Sequence, residues 1–317
     1  TYDELQAVPE DPTAGRAAVQ TLLDTCLASS FWRNEQLHRM ADSRIRPQHA
    51  VGYDRGNEFS LGDYRFDYRL FSYVMSGDRD ARDLLRATYH VDENGFRVDG
   101  AFNAPGVGGN LGEPLQPDKR AGMITTTWFL AIHTMFSPLP RTSAAQAYRA
   151  YLGQDIARSE GLLPVANEPR DVDYKGVRGR TCNVCHSTLD PLAYAFAAYE
   201  GINGPNTGTF RASRMADVRN GNGGNSTASI FGVNLDTDPL LAPQNHGVVG
   251  WASVAVADEA FARNVVFMLA EQALGRKPTA EDTLELLPLV TTFRTTHQYL
   301  AEAAVRDIVN TDAFGRP

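Results

Sequence analysis

Apolar residues recur along this chain mainly at three- and four-residue intervals, the period of helices with one face turned inward. Val19, Leu22, Leu23, Cys26 and Leu27 follow that spacing, so Cys26 is expected to be a buried structural thiol. Phe71, Val74 and Met75 share one side of a helix expected within residues 64–76, with Met75 as core filler. Residues 80–90 predict a second helix, with His90 placed to cap its C-terminal end or, if protonated, to answer the dipole there. The dense apolar run 121–136 holds Trp128, Phe129, Leu130, Ile132 and Met135 and is long enough for a buried helix, although Thr125, Thr126 and Thr127 work against one. Pro138 and Pro140 interrupt it. Thr142 or Ser143 would cap the next helix, which carries Tyr148, Tyr151 and Leu152. Three more helices are expected: over 257–274, from a Thr279 cap through Leu286 and Leu287, and over about 297–310.

Between these segments the pattern breaks. Residues 1–14 and 153–181 are irregular, and 95–120 are rich in glycine and proline, as in a long loop or a small two-stranded element. Gly106, Gly108 and Gly109 lack the lysine and helix opening of a nucleotide loop. Residues 201–247 are turn-rich, with Asn220-Gly221-Asn222-Gly223-Gly224-Asn225 as the clearest breaker cluster. The expected class is mainly α, with a helical N-terminal region over 1–120 and a second region over 121–317. Of the 317 residues, 43% are hydrophobic and 21% charged, as in an ordinary folded chain. No apolar run has the length of a membrane span. A formal charge of -8 argues against nonspecific nucleic-acid binding and suits a basic protein partner.

One stretch carries specific chemistry. Cys182-Asn183-Val184-Cys185-His186 is the spacing that attaches a c-type haem. Each thiol can form a thioether with one haem vinyl group, and His186 can present its imidazole to the iron from the proximal side. A redox dithiol and a zinc half-site share the bare Cys-x-x-Cys. A structural zinc site needs four ligands, and Cys26 is the one other sulfur donor of this kind in the chain. A redox pair would favour a preceding strand, and Lys175-Gly176-Val177-Arg178-Gly179-Arg180 does not read as one. Beyond the motif, Asp190-Pro191 reads as a helix entrance, with Leu192, Phe196 and Tyr199 turned toward a flat cofactor or the core. Covalent haem attachment is associated with export, so the expected compartment is the bacterial periplasm or cell surface. The chain, which starts Thr1-Tyr2-Asp3-Glu4, then reads as a mature fragment without its leader.

The run Cys182 through Phe196, followed by Tyr199-Glu200-Gly201-Ile202, resembles the haem-binding domain of a family of uncharacterised cytochromes of planctomycete and myxobacterial type. Two flanks are also similar to that family: Arg141-Thr142-Ser143 through Tyr148-Arg149-Ala150-Tyr151-Leu152, and Ala273-Leu274-Gly275-Arg276-Lys277-Pro278. The resemblance covers most of the chain beyond about residue 115. It implies a helical, cytochrome c-like haem region within a larger helical protein, and one covalently held haem c.

The function expected from these residues is single-electron transfer to or from a redox protein or multi-subunit redox complex. Two alternatives remain open: a haem enzyme of peroxidase or oxygenase type, and a haem-bearing architectural subunit of a redox assembly. The distal iron ligand has several candidates. Met135 precedes a proline-rich turn, Met215 has the chain order of a returning methionine loop, and His133 lies two residues from Met135. Asp236 and Asp238 are too few oxygen donors for a calcium site by themselves. Asn225-Ser226-Thr227 matches a glycosylation acceptor, which a bacterial source would not use.

Overall fold

The computed structural model describes residues 7–9, 11–46, 62–102, 112–135, 139–156, 183–203, 206–214, 228–230, 233–235 and 247–316. Cys182, Met215, Asp236, Asp238 and the 220–225 cluster lie outside them, as do the whole of Asn225-Ser226-Thr227 and residues 157–181 of the approach to the motif. The protein is mainly α-helical. In chain order the helices are α1 (Pro12–Ala28), α2 (Leu37–Ile45), α3 (Arg65–Val74), α4 (Asp83–Arg86), α5 (Thr127–Phe129), α6 (Arg141–Leu152), α7 (Asn183–Phe196), α8 (Gly247–Ala255), α9 (Glu259–Leu274), α10 (Ala280–Thr295) and α11 (Ala301–Val309). Two antiparallel hairpins accompany them: β1 (His90–Val91) with β2 (Arg97–Val98), and β3 (Ala228–Ile230) with β4 (Val233–Leu235). Among the described residues no helix is long and apolar enough to cross a membrane.

The chain forms two compact units. The first comprises residues 1–42, 71–81 and 262–317. Its core includes Leu27, Trp32, Leu37, Met40, Phe71, Val74, Met75 and Phe293. Each large side chain removed from water there contributes roughly 1.5–3 kcal/mol. Polar ties join segments far apart in sequence: Trp32 Nε1 donates to Glu302 at 3.0 Å, and the Ala81 amide donates to the Tyr299 carbonyl at 3.0 Å. Thr279 caps α10 as its sequence predicts, through a capping box with Asp282 that satisfies two amides otherwise left without partners. α10 then runs to Thr295, well past Leu287, with Pro288 inside it. Cys26 departs from expectation. It is exposed, because the buried stripe of α1 in its last turns runs through the neighbouring Leu27.

The second unit comprises residues 43–70 and 82–261. Trp128, Tyr148, Tyr151, Phe196, Trp251 and Phe261 are among its large buried side chains. Tyr148 and Trp251 meet edge to face at 5.4 Å, and Trp128 Nε1 donates to the Ile45 carbonyl at 3.1 Å. The run from 121 is buried as expected but is not one helix. A 3-10 turn over Gly122–Thr125 leads into α5, and a π turn over Leu130–Thr134 follows. The threonines account for the break: Thr126 leaves helical conformation and its hydroxyl accepts the Phe129 amide as an N-cap. Gly122 permits the tight approach there, having φ +52° and lying where a Cβ would sit 2.2 Å from the Leu84 carbonyl oxygen. The helix expected over 80–90 shrinks to α4. His90 is instead a buried residue of β1, because Asp92–Gly95 close a hairpin that recruits the preceding residues as a strand. Neither Thr142 nor Ser143 caps α6, whose N-cap is Pro140 without a side-chain bond. The Ser143 hydroxyl pairs with Thr134 at 2.9 Å.

Candidate functional site

α7 begins at Asn183, seven residues before the expected entrance at Asp190, and carries Pro191 in its interior. Proline removes one helical amide, and the buried residues Leu192, Ala193 and Phe196 hold the helix across the gap by packing. The consequence is geometric. Cys185 and His186 lie in the first turn of a continuous helix, and Asp190 stands one turn beyond His186 on the same face. Cys185 is buried, with its sulfur 4.0 Å from the Ile156 carbonyl oxygen. His186 is partly exposed, at 23% of its side chain.

His186 Nδ1 lies 3.0 Å from Asp190 Oδ1. Arg141, the first residue of α6, approaches the same carboxylate with Nε 2.6 Å from Oδ1 and Nη2 3.3 Å from Oδ2. The two oxygens thus receive a forked guanidinium, with the imidazole sharing one of them. Asp190 is only 5% exposed. Burial pushes its carboxyl upward, but hydrogen bonds from His186 and Arg141 outweigh that and hold it below the ordinary value. An ionised carboxylate only accepts hydrogen bonds, so Nδ1 of His186 carries the proton. In the neutral imidazole the lone pair then resides on Nε2, the form that ligates a metal. A carboxylate behind a metal-ligating histidine fixes tautomer and ring orientation and raises ligand basicity. This donor set fits a haem iron at His186, with the Cys185 thiol in the same helical turn.

The other candidates are placed as follows. Met135 closes the π turn with φ 45°, unusual for a residue bearing a side chain, and is 48% exposed. Gly201 is packed against its backbone, where a Cβ would lie 2.0 Å from the Met135 carbonyl oxygen, and that oxygen accepts the Ile202 amide at 3.2 Å. Met135 therefore adjoins the segment that follows α7. His133 is buried, and its Nε2 has no hydrogen-bond partner among the described residues. Burial, reinforced by Arg46 and Arg149, lowers it to about 3, so it is neutral. Its ring lies 4.7 Å from Phe129, which stacks at 6.0 Å on Phe196 of α7. Asp190 as partner of His186, and Arg141 as partner of Asp190, were not anticipated from the sequence. The four-residue interval from His186 to Asp190 was the available signal for the first. The second spans 49 residues and had none.

A second buried polar group in this unit lies around Asp67 and Glu113. Asp67 Oδ2 accepts the Thr126 hydroxyl at 2.7 Å, while Oδ1 has no partner among the described residues. Burial raises Asp67 well above its ordinary value, with Glu113 adding to the rise. Glu113 accepts the Thr127 amide at 3.2 Å. Burial lifts it to about 7, against the pull of Arg120. Arg120 donates to the Leu115, Gly100 and Glu113 carbonyls and lies 3.3 Å from His90 Nδ1. Burial, then Arg120, lowers His90 to about 4.

No family model, curated protein or solved structure matches the chain.

Proposed function

We propose that this chain is a mono-haem c-type cytochrome that carries single electrons to or from a redox partner. The observation that carries the reading is the contiguous Cys182-Asn183-Val184-Cys185-His186 run, whose histidine turns Nδ1 to a carboxylate and leaves Nε2 for a metal. Cys182 and Cys185 would hold one haem c by thioethers, and His186 would bind its iron. When bound, the haem supplies an iron centre that takes up and releases one electron without substrate bonds breaking. Asp190 orients the imidazole, and Arg141 fixes Asp190 against α6. The buried face of α7 excludes water beside that turn. Met135 and Met215 are the methionines we propose for the distal side, and the exposure of Met135 leaves its sulfur sterically available.

On this reading residues 121–317 form the haem-binding region, cytochrome c-like around the motif and related to the uncharacterised family it resembles. Export to the periplasm or cell surface follows from the attachment chemistry. The partner is a redox protein or multi-subunit redox complex, which the formal charge of -8 would steer toward a basic docking face.

The test is mass spectrometry of the exported protein after acid–acetone extraction. One haem should remain on the peptide containing Cys182 and Cys185. Complete release of haem, or zinc in its place, refutes the proposal. Sustained hydrogen peroxide turnover at an open distal position would instead favour the haem-enzyme alternative. Near-infrared magnetic circular dichroism of the ferric protein identifies a methionine ligand, and its loss in Met135→Ala but not Met215→Ala would assign it.

A further inference from the structure

We propose that Asp190 is a positioning residue that lowers the reduction potential at the His186-ligated iron, and that Arg141 limits how far it does so. The inference rests on the haem reading above and goes beyond it to which redox state the protein favours. The geometry is a relay of three side chains. His186 Nδ1 is 3.0 Å from Asp190 Oδ1, and Arg141 Nε is 2.6 Å from the same oxygen. The carboxylate is 5% exposed, so little solvent screens it from the imidazole.

The argument follows from charge. A ferric centre carries one more positive charge than a ferrous one. An anionic acceptor on Nδ1–H draws that proton toward itself and makes Nε2 a stronger donor, which favours the ferric state. The guanidinium works in the opposite sense. By sharing Oδ1 it withdraws electron density from the His186 bond, and its own positive charge disfavours the ferric state. His186, as the residue that would hold the iron, would thereby be tuned from α6 through a contact 49 residues distant in sequence.

Two variants of the full chain, expressed with haem-attachment machinery, test this by mediator-based potentiometry. Asp190→Asn keeps an acceptor of the same shape on Nδ1–H but removes the charge. It should shift the ferric-to-ferrous ratio at fixed potential about tenfold toward ferrous, equivalent to about 59 mV upward for one electron. Arg141→Gln should shift the ratio the other way. A packing role alone would not give two shifts of opposite sign. Retained haem with an unmoved or lowered potential in Asp190→Asn overturns the inference and leaves the haem reading standing. Should Asp190→Asn fail to fold, Arg141→Gln decides, and an unmoved or raised potential there overturns it. A wild-type protein without covalent haem overturns both.

Discussion

Two buried carboxylates of the second unit meet opposite fates. Asp190 and Asp67 are each almost wholly removed from water. Asp190 receives a guanidinium and an imidazole and is held below the ordinary carboxyl range. Asp67 receives one hydroxyl, lies near Glu113, and is pushed far above that range. Burial acts on both in the same direction, so the donors decide the outcome. Depth alone therefore does not fix the charge state of a carboxylate. Asp190 stays an ionised acceptor behind His186, whereas the pair around Glu113 is suited to hold protons.

The contrast makes the two regions tilt stability with pH in opposite senses. Glu113 has a folded-state value of about 7, above its ordinary 4.5. Its contribution is full below 4.5 and is lost as pH rises through 7, because the folded state binds the extra proton in that interval. Asp190 has a lowered value, so its contribution is full above the ordinary carboxyl value and is lost as pH falls through the folded one.

The largest effect should come from Glu113→Gln. Denaturation between pH 4 and 8 should show about 3 kcal/mol of pH-dependent stability in the wild type that the variant lacks. A wild-type curve flat across that range would break the comparison. Arg141→Ala comes next. It leaves Asp190 buried without its guanidinium, and a loss of about 2 kcal/mol is expected, moderated because the arginine is itself a quarter exposed. That loss should shrink as acid protonates Asp190, which urea titrations at pH 3 and pH 7 would reveal. At low pH the smallest change belongs to Asp67→Asn, under about 1 kcal/mol, and the substitution becomes progressively stabilising relative to the wild type as pH rises above the ordinary carboxyl value. Destabilisation growing with pH would show that Asp67 is ionised and paired after all.

The sequence made much of this legible, and the remainder follows physical lines. The Cys182-Asn183-Val184-Cys185-His186 run is contiguous, so nothing has to fold for its spacing to be read. Thr279 and Asp282 also announce their cap, because capping is local. The error at Asp190-Pro191 was one of rule strength. Proline usually opens helices, and tertiary packing of Leu192 and Phe196 overrode that preference. Taking α7 to start there hid the pairing of His186 with Asp190. Glu113 was invisible for another reason. It sits in a glycine- and proline-rich stretch where a charged residue normally signals solvent, and only the closing of Arg120 and Thr127 around it buries it. Cys26 shows the limit of periodicity: of the two adjacent positions that the spacing admits to the buried stripe, Leu27 is buried and Cys26 is exposed.

The exposure of Met135 has a chemical consequence. The thioether of Met135 is presented outward, while the other methionines of the described residues, Met40, Met75, Met123 and Met268, are enclosed. An added oxidant should therefore convert Met135 to its sulfoxide before any of those four. A metal bound to that sulfur would shield it, so the rate at which sixteen mass units are gained there is a footprint of whether the sulfur is occupied.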